Sequence, residues 1–231
     1  MPSKTKIMQI NIDQTHWYDR IWAALILFTR LPFWRLHQPP KECYQTVVEH
    51  WPLAGWITGA AMAATLYFGS WYLPYMVAVI LAIMKDSHIG TYGVIGLICY
   101  ELLLFAALFA MPPALAALTI LAADPYAKMV TSQLVTMMPY ARREEEAKAR
   151  TIYRKINWQA GISLAIQGLL PMVAYIWYTG MRWDLIIFIP ALVMYFLYLL
   201  IWRKIHGYTG DCCGAVCLLV ELSVYLVVCT Q

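Results

Sequence analysis

The chain has 231 residues, 61% hydrophobic and only 13% charged, with a mean hydropathy of +0.59, so it carries more apolar surface than a soluble core of that length can hide. This composition predicts an all-α, polytopic integral membrane helical bundle and excludes an ordinary soluble domain. The net charge of +4 is modest and falls in loop clusters, a pattern of membrane orientation rather than of a nucleic-acid-binding surface.

Taken in chain order, residues 1–20 read as a polar tail without the continuous apolar core of a cleavable signal peptide. Residues 21–36 read as a helix lying at the membrane interface, because the apolar stretch 21–31 is too short to span. Phe33, Trp34 and Trp51 would form its aromatic belt. A single membrane domain follows over 53–229, with about seven spans expected at 53–68, 71–84, 94–111, 114–138, 160–178, 185–202 and 214–229. The first is rich in small residues (Gly55, Gly59, Ala60, Ala61, Ala63, Ala64), which favours close packing on another helix. The second, 71–84, would be only about 21 Å long as a helix, short of the roughly 30 Å of a hydrocarbon core. Pro112 and Pro113 close the third span, and the fourth carries Asp124, Pro125 and Lys128. The 10 Trp and 16 Tyr suit residues that anchor at the lipid–water boundary. Six cysteines (Cys43, Cys99, Cys212, Cys213, Cys217, Cys229) form no CxxC pair and read as small buried hydrophobes.

Loop charge orients this bundle. With a cytoplasmic N-terminus, segments 1–52, 85–93, 139–159 and 203–213 face the cytoplasm and hold 15 of the 17 Lys and Arg residues, as the positive-inside rule requires. Only Lys128, inside a span, and Arg182, in an outer loop, stand apart.

Two polar, glycine-flanked tracts interrupt the apolar sequence on that same face. The first runs Lys85-Asp86-Ser87-His88-Ile89-Gly90-Thr91-Tyr92-Gly93, and the second His206-Gly207-Tyr208-Thr209-Gly210-Asp211. Asp86 and Asp211 are hard oxygen ligands suited to Mg²⁺ held jointly with substrate phosphates. Gly90, Gly93, Gly207, Gly210 and Gly214 allow close approach of backbone N–H groups to a phosphate, with Thr91 and Thr209 as further donors. Arg30, Lys85 and Arg142 could neutralise a pyrophosphate, and His88 could accept a proton from an attacking hydroxyl. The simpler alternatives stay open at this point. Asp86 and Asp211 could cap helices while the glycines only turn the chain, and His88 could be an interfacial hydrogen-bonding residue. Asp124 and Lys128, four apart on one helix, could be an internal ion pair or part of a site; Glu101 and Glu221 could join helices or serve function. The run Glu144–Glu146 reads as a solvated face.

Five stretches occur in an order that resembles the cobalamin synthase family, the adenosylcobinamide-GDP ribazoletransferases. They are Phe28-Thr29-Arg30-Leu31-Pro32, Trp51-Pro52-Leu53-Ala54-Gly55, Met84 through Gly93, Pro139-Tyr140-Ala141-Arg142, and Gly207 through Ala215. The Lys-Asp-Ser-x-x-Gly-Thr-x-Gly and Thr-Gly-Asp-x-x-Gly-Ala tracts carry the specificity, and the resemblance runs from about residue 20 to the C-terminus. It implies a Mg²⁺-dependent transferase of the bacterial inner membrane with its active face in the cytoplasm. Such an enzyme joins adenosylcobinamide-GDP to α-ribazole or its 5′-phosphate and releases GMP. Asp86, His88 and Asp211 would then be catalytic, with Asp86 and Asp211 on the metal. Arg30, Lys85, Gly90, Thr91, Gly93, Arg142, Gly207, Thr209 and Gly210 would bind substrate. Membrane lipid surrounds such a bundle, a homo-oligomer is compatible with it, and nucleic acid has no place in it.

The chain departs from the family's pattern at one point. Where the resemblance implies a tract of the form His-x-Asp-Gly-x-Ala-Asp-x-x-Asp-Gly ahead of Lys85, residues 75–79 run directly into 80–84. That is also where the expected second span is too short. Two rival readings follow: a non-catalytic, truncated relative that binds corrinoid or partner enzymes, and a small membrane carrier. No inverted repeat or pair of broken helices favours the carrier. A phospholipid-type CDP-alcohol phosphotransferase would require an Asp-Gly-x-x-Ala-Arg tract, which the sequence lacks.

Overall fold

The computed structural model describes residues 16–29, 31–83, 91–141 and 156–231, and their regular structure is helical. Helix α1 spans Trp17–Phe28, earlier than the interfacial helix expected at 21–36. Its start is set by Asp19, whose Oδ2 accepts the His16 backbone N–H at 2.9 Å, and its end by Thr29, whose hydroxyl turns back to the Leu25 carbonyl at 2.6 Å. Pro32, Pro39 and Pro40 then keep the chain in short 3₁₀ turns at Phe33–Arg35, Lys41–Gln45 and Val47–His50.

The bundle proper comprises α2 (Trp51–Tyr72), α3 (Tyr75–Ile83), α4 (Thr91–Ala110), α5 (Pro113–Met137), α6 (Trp158–Thr179), α7 (Trp183–Ile205) and α8 (Gly210–Cys229). Prolines open α2 and α5, where a missing N–H costs nothing. Gly180, in the left-handed region at φ +69°, ends α6, and His206 at φ +56° ends α7. Three of these helices, α6, α7 and α8, are long and apolar enough to cross a membrane. At 22 residues, α6 is about 33 Å long, close to the thickness of a hydrocarbon core. The other expected spans appear as helices. Small residues dilute the hydropathy of α2, and Asp124 and Lys128 that of α5.

The contacts fix which helix ends share a side. Gly55 of α2 meets Pro125 and Lys128 of α5, and Gly59 meets Asp124 and Ile120, so the two helices run antiparallel. The end of α5 pairs with the start of α8, while Gln231, just beyond α8, accepts the Arg182 N–H at the α6–α7 turn (2.6 Å). Cys229 Sγ lies 3.3 Å from the Ala107 carbonyl near the end of α4. The N-termini of α2, α4, α6 and α8 and the C-termini of α5 and α7 therefore lie at one end. Exposed Trp158 and Trp202 ring that end, and exposed Trp71, Tyr72, Trp177, Tyr178 and Trp183 ring the other, as two interfacial belts do.

Helix α5 is the hub, packing on α2, α6, α7 and α8. Its seam with α2 is a backbone contact: a Cβ on Gly55 would stand 2.9 Å from Pro125 Cα, and one on Gly59 would stand 3.3 Å from the Ile120 carbonyl oxygen. Against α6, a Cβ on Gly168 would overlap the Met129 side chain at 2.3 Å. Three residues on, Pro171 leaves the Gln167 carbonyl without its helical partner, and the Trp56 indole N–H donates to that oxygen at 2.8 Å. Beside Pro171 an apolar groove of about 370 Å³ opens between α2, α5 and α6, lined by Trp56, Leu118, Leu121, Leu170, Pro171 and Tyr178 among others. At the far end, the Tyr75 hydroxyl donates to the Leu108 and Met111 carbonyls (2.7 and 2.9 Å) at the end of α4, where helix carbonyls run short of backbone partners.

Candidate functional site

The described parts of both polar tracts lie at the tryptophan-158 end. The second tract is ordered by pairing with the end of α5. Tyr208 N–H donates to the Pro139 carbonyl and Ala141 N–H to the Tyr208 carbonyl, both at 2.9 Å, so 139–141 and 207–209 lie side by side as a short parallel bridge. The rings of Tyr140 and Tyr208 meet edge to face at 5.4 Å, and Tyr208 is buried. Thus the Pro139-Tyr140-Ala141 stretch that precedes Arg142 lies directly beside the Gly207-Tyr208-Thr209 stretch. Thr91 and Gly93 of the first tract form the opening turn of α4 at the same end.

Gly207 is explained by this junction. A Cβ there would stand 2.6 Å from the Pro139 carbonyl oxygen and 3.1 Å from Ala141 Cα, so only glycine lets the two segments close. Thr209 caps α8: its Oγ1 accepts the Cys212 N–H at 3.2 Å and lies 3.2 Å from Cys212 Sγ. The helix therefore starts at Gly210, four residues before the expected 214. Capping by Thr209 also answers one alternative for Asp211: it is not the cap but sits exposed in the first turn. A Cβ on Gly210 or Gly214 would meet nothing within 4 Å, and Gly210, Asp211, Gly214 and Ala215 are all exposed. A carboxylate flanked by bare backbone at a helix N-terminus faces open space there, a surface that phosphate oxygens can approach closely.

Arg30, Lys85, Asp86, His88, Gly90 and Arg142 lie outside the described residues, as does the Glu144–Glu146 run. Among the described residues, no three His, Cys, Asp or Glu side chains gather to hold a metal ion. Of the described parts of the two tracts, Asp211 supplies the one carboxylate, and alone it does not make a Mg²⁺ site. The described cysteines are free thiols, with Cys43, Cys213 and Cys217 buried and Cys99 and Cys229 exposed.

The other polar groups resolve into two clusters. Asp124 and Lys128 are paired within α5, and the Thr58 hydroxyl of α2 donates to the same Asp124 carboxylate. This is the internal ion pair of the two alternatives. The second cluster lies beside α1. His37 Nε2 is 2.5 Å from Asp19 Oδ1, Arg20 is 3.6 Å from Glu49, and His50 Nδ1 is 3.2 Å from Gln167 Nε2. Burial alone would raise the Asp19 carboxyl, but the bonds it accepts from His37 and the His16 amide bring it below the ordinary aspartate value. Burial, with Arg20 nearby, pushes the His50 imidazole down. Sequence reading passed over this cluster, because single His, Gln and Asp residues far apart in the chain carry no spacing signal.

The sequence matches the profile of the cobalamin-5-phosphate synthase family in two pieces, residues 20–83 and 78–229. Curated relatives named adenosylcobinamide-GDP ribazoletransferase include one from Leptospira interrogans, 25% identical over 257 aligned positions and covering 94% of this chain and 97% of its own length. One from Ralstonia pickettii is 23% identical, covering 93% and 96%; one from Shewanella woodyi is 32% identical, covering 63% and 57%. The 257 positions aligned with the Leptospira protein exceed the 231 residues of the chain, so the relative holds residues with no counterpart here. The two matched pieces meet and overlap at 78–83, in the second half of α3, so the family match is broken there. No solved structure matches the chain. With 20–83 and 78–229 both matched, the chain belongs to the cobalamin-5-phosphate synthase family.

Proposed function

We propose that this protein is an adenosylcobinamide-GDP ribazoletransferase acting at the cytoplasmic face of the bacterial inner membrane, with about seven membrane spans. The observation that carries the reading is the junction of 139–141 with 207–209. It sets the exposed Gly210–Asp211–Gly214 face beside the stretch leading to Arg142, in a chain whose family match covers nearly its whole length. The reaction joins a ribose hydroxyl of α-ribazole, or of its 5′-phosphate, to the cobinamide-side phosphorus of the pyrophosphate. The new P–O bond forms as the bond to GMP breaks, and the hydroxyl proton leaves to a base. Asp211 and Asp86 are the carboxylates assigned to Mg²⁺, which when bound would supply charge neutralisation at the pyrophosphate. Gly210, Gly214 and the start of α8 offer backbone N–H groups to phosphate oxygens. Arg30, Lys85 and Arg142 clamp the charge, Thr91, Gly90 and Gly93 extend the cradle, and His88 takes the hydroxyl proton.

The test is GMP release from adenosylcobinamide-GDP and α-ribazole by the purified protein in lipid nanodiscs, with and without Mg²⁺. Metal-dependent GMP release that vanishes in Asp211→Asn supports the reading; release of GMP unchanged by that variant removes Asp211 from the chemistry. A second reading, a relative that binds the corrinoid nucleotide without turning it over, is favoured by the break in the family match at 78–83. It predicts substrate binding without GMP release, and release gained when a family-like acidic segment is inserted between Val79 and Ile80.

A further inference from the structure

Among the described residues of α2 to α8, the acidic and basic side chains of the bundle interior, Asp124, Lys128 and Glu221, gather at one level. Asp124 and Lys128 of α5 are paired with each other, and the Lys128 ammonium also donates to Thr58 Oγ1 of α2 at 3.2 Å. From α8, Glu221 and Cys217 lie within electrostatic range of that ammonium, and Tyr225 donates to Glu221 Oε1 at 2.5 Å. From α4, Tyr100 lies within range of Glu221, Glu101 and Asp124. Asp124 and Glu221 are both buried. The node thus draws on four helices, about two to three turns in from the ends that carry the polar tracts.

Adhesion alone does not explain it. Gly55 and Gly59 already seat α2 on the backbone of α5, and charged groups at this depth are costly. What charges supply that apolar contacts cannot is register. Lipid tails are as apolar as leucine, so a helix held only by apolar contacts turns or slides by one notch at little cost. Helix α8 packs on α5 with Glu221 buried and within electrostatic range of Lys128, so it cannot turn or slide without carrying that carboxylate toward hydrocarbon. Helix α8 is also the element that carries Thr209, Gly210 and Asp211, and Glu221 sits ten residues beyond Asp211, about 15 Å along the same helix.

We propose that Lys128, Asp124 and Glu221 are positioning residues that lock the rotation and axial register of α8 and so hold the Gly210–Asp211–Gly214 face beside the 139–141/207–209 junction. This rests on the reading of that face as the substrate site, but the test does not. Hydrogen exchange followed by mass spectrometry, on the protein in nanodiscs, reads the amides of Tyr208, Cys212 and Ala141, whose bonds form the junction. Lys128→Met should speed exchange across 207–214 about tenfold while leaving 160–178 of α6 unchanged, and Lys128→Arg should restore protection. Glu221→Gln, which keeps the volume and a bond to Tyr225, should give the same local loosening and serves if Lys128→Met does not insert. Unchanged exchange at 207–214 overturns the proposal. So does exchange raised equally in α6, because the node would then be ordinary structural glue. If the wild-type chain releases GMP, the variants should lower kcat more than they raise KM. If it releases none, the functional reading fails while the exchange result still decides the register lock.

Discussion

The α2–α5 seam and the 139–141/207–209 junction both depend on a glycine pressed against backbone, yet they end in opposite surroundings. At the seam, Gly55 meets Pro125 and Lys128, and the neighbouring polar groups are consumed by one another. At the junction, Gly207 is pressed on Pro139 while, three and seven residues on, Gly210 and Gly214 meet nothing and flank an exposed aspartate. Glycines in one tract therefore have two different causes. One makes room for the protein's own backbone, and the others leave room for something else.

The widest test of that division is Asp211→Asn in a form with the acidic segment restored. We expect normal insertion and thermal stability but turnover at least about 100-fold lower, the scale of losing one transition-state electrostatic contact. Because Thr209 already caps α8, any loss of turnover here cannot be charged to a lost cap. Near-normal turnover would remove the contrast between the two regions.

The glycines separate next. Gly207→Ala and Gly55→Ala should each lower stability by about 1–3 kcal/mol, because the new methyl meets backbone that cannot rotate away. Gly214→Ala should leave thermal stability unchanged or raise it by up to about 1 kcal/mol, since it sits in helix with open space around it, while weakening substrate binding. Thermal unfolding in nanodiscs with substrate titrations checks both. Equal destabilisation at 207 and 214 would erase the distinction.

The extent to which the sequence announced this arrangement follows the same line. The helices were legible because long apolar runs and prolines at 52, 112 and 113 mark them; every expected span has its helix within a few residues. The two tracts stood out as candidate site residues because polar residues and glycines are expensive beside apolar runs, and their described parts lie at one end of the bundle. The exact start of α8 was not legible, because a Thr209 cap followed by Gly210 looks like loop until the cap bond is seen. The cause of Gly207 was hidden too, since its partner Pro139 lies 68 positions earlier in sequence. The Trp56 bond to Gln167 was equally invisible, although Pro171 predicts that some donor must serve that carbonyl. Trp56→Phe, which keeps an aromatic ring and loses the donor, should cost about 1 kcal/mol of stability; no change would mean the α2–α6 contact is held by packing alone.

The smallest expected effect concerns pH, and it separates the membrane-end cluster from both glycine contacts. The Gln167 amide, as placed, donates to Ser163 Oγ at 2.9 Å and to His50 Nδ1 at 3.2 Å, which requires His50 to accept through that nitrogen. Burial, then the Arg20 charge, depresses its pKa, so the folded protein binds a proton there less readily than the unfolded chain does. The resulting stability is fully present above the ordinary histidine value of about 6.5 and is lost as pH falls through the depressed folded value. Asp19, also lowered, adds a loss only at much lower pH, below the ordinary aspartate range. Unfolding temperatures measured from pH 8 down to 5 should therefore decline below about pH 6.5 in the wild type. The decline should be shallower in His50→Asn, which cannot take up the proton. Identical slopes in the two proteins would mean that His50 remains neutral without consequence, and that the cluster contributes packing but no pH response.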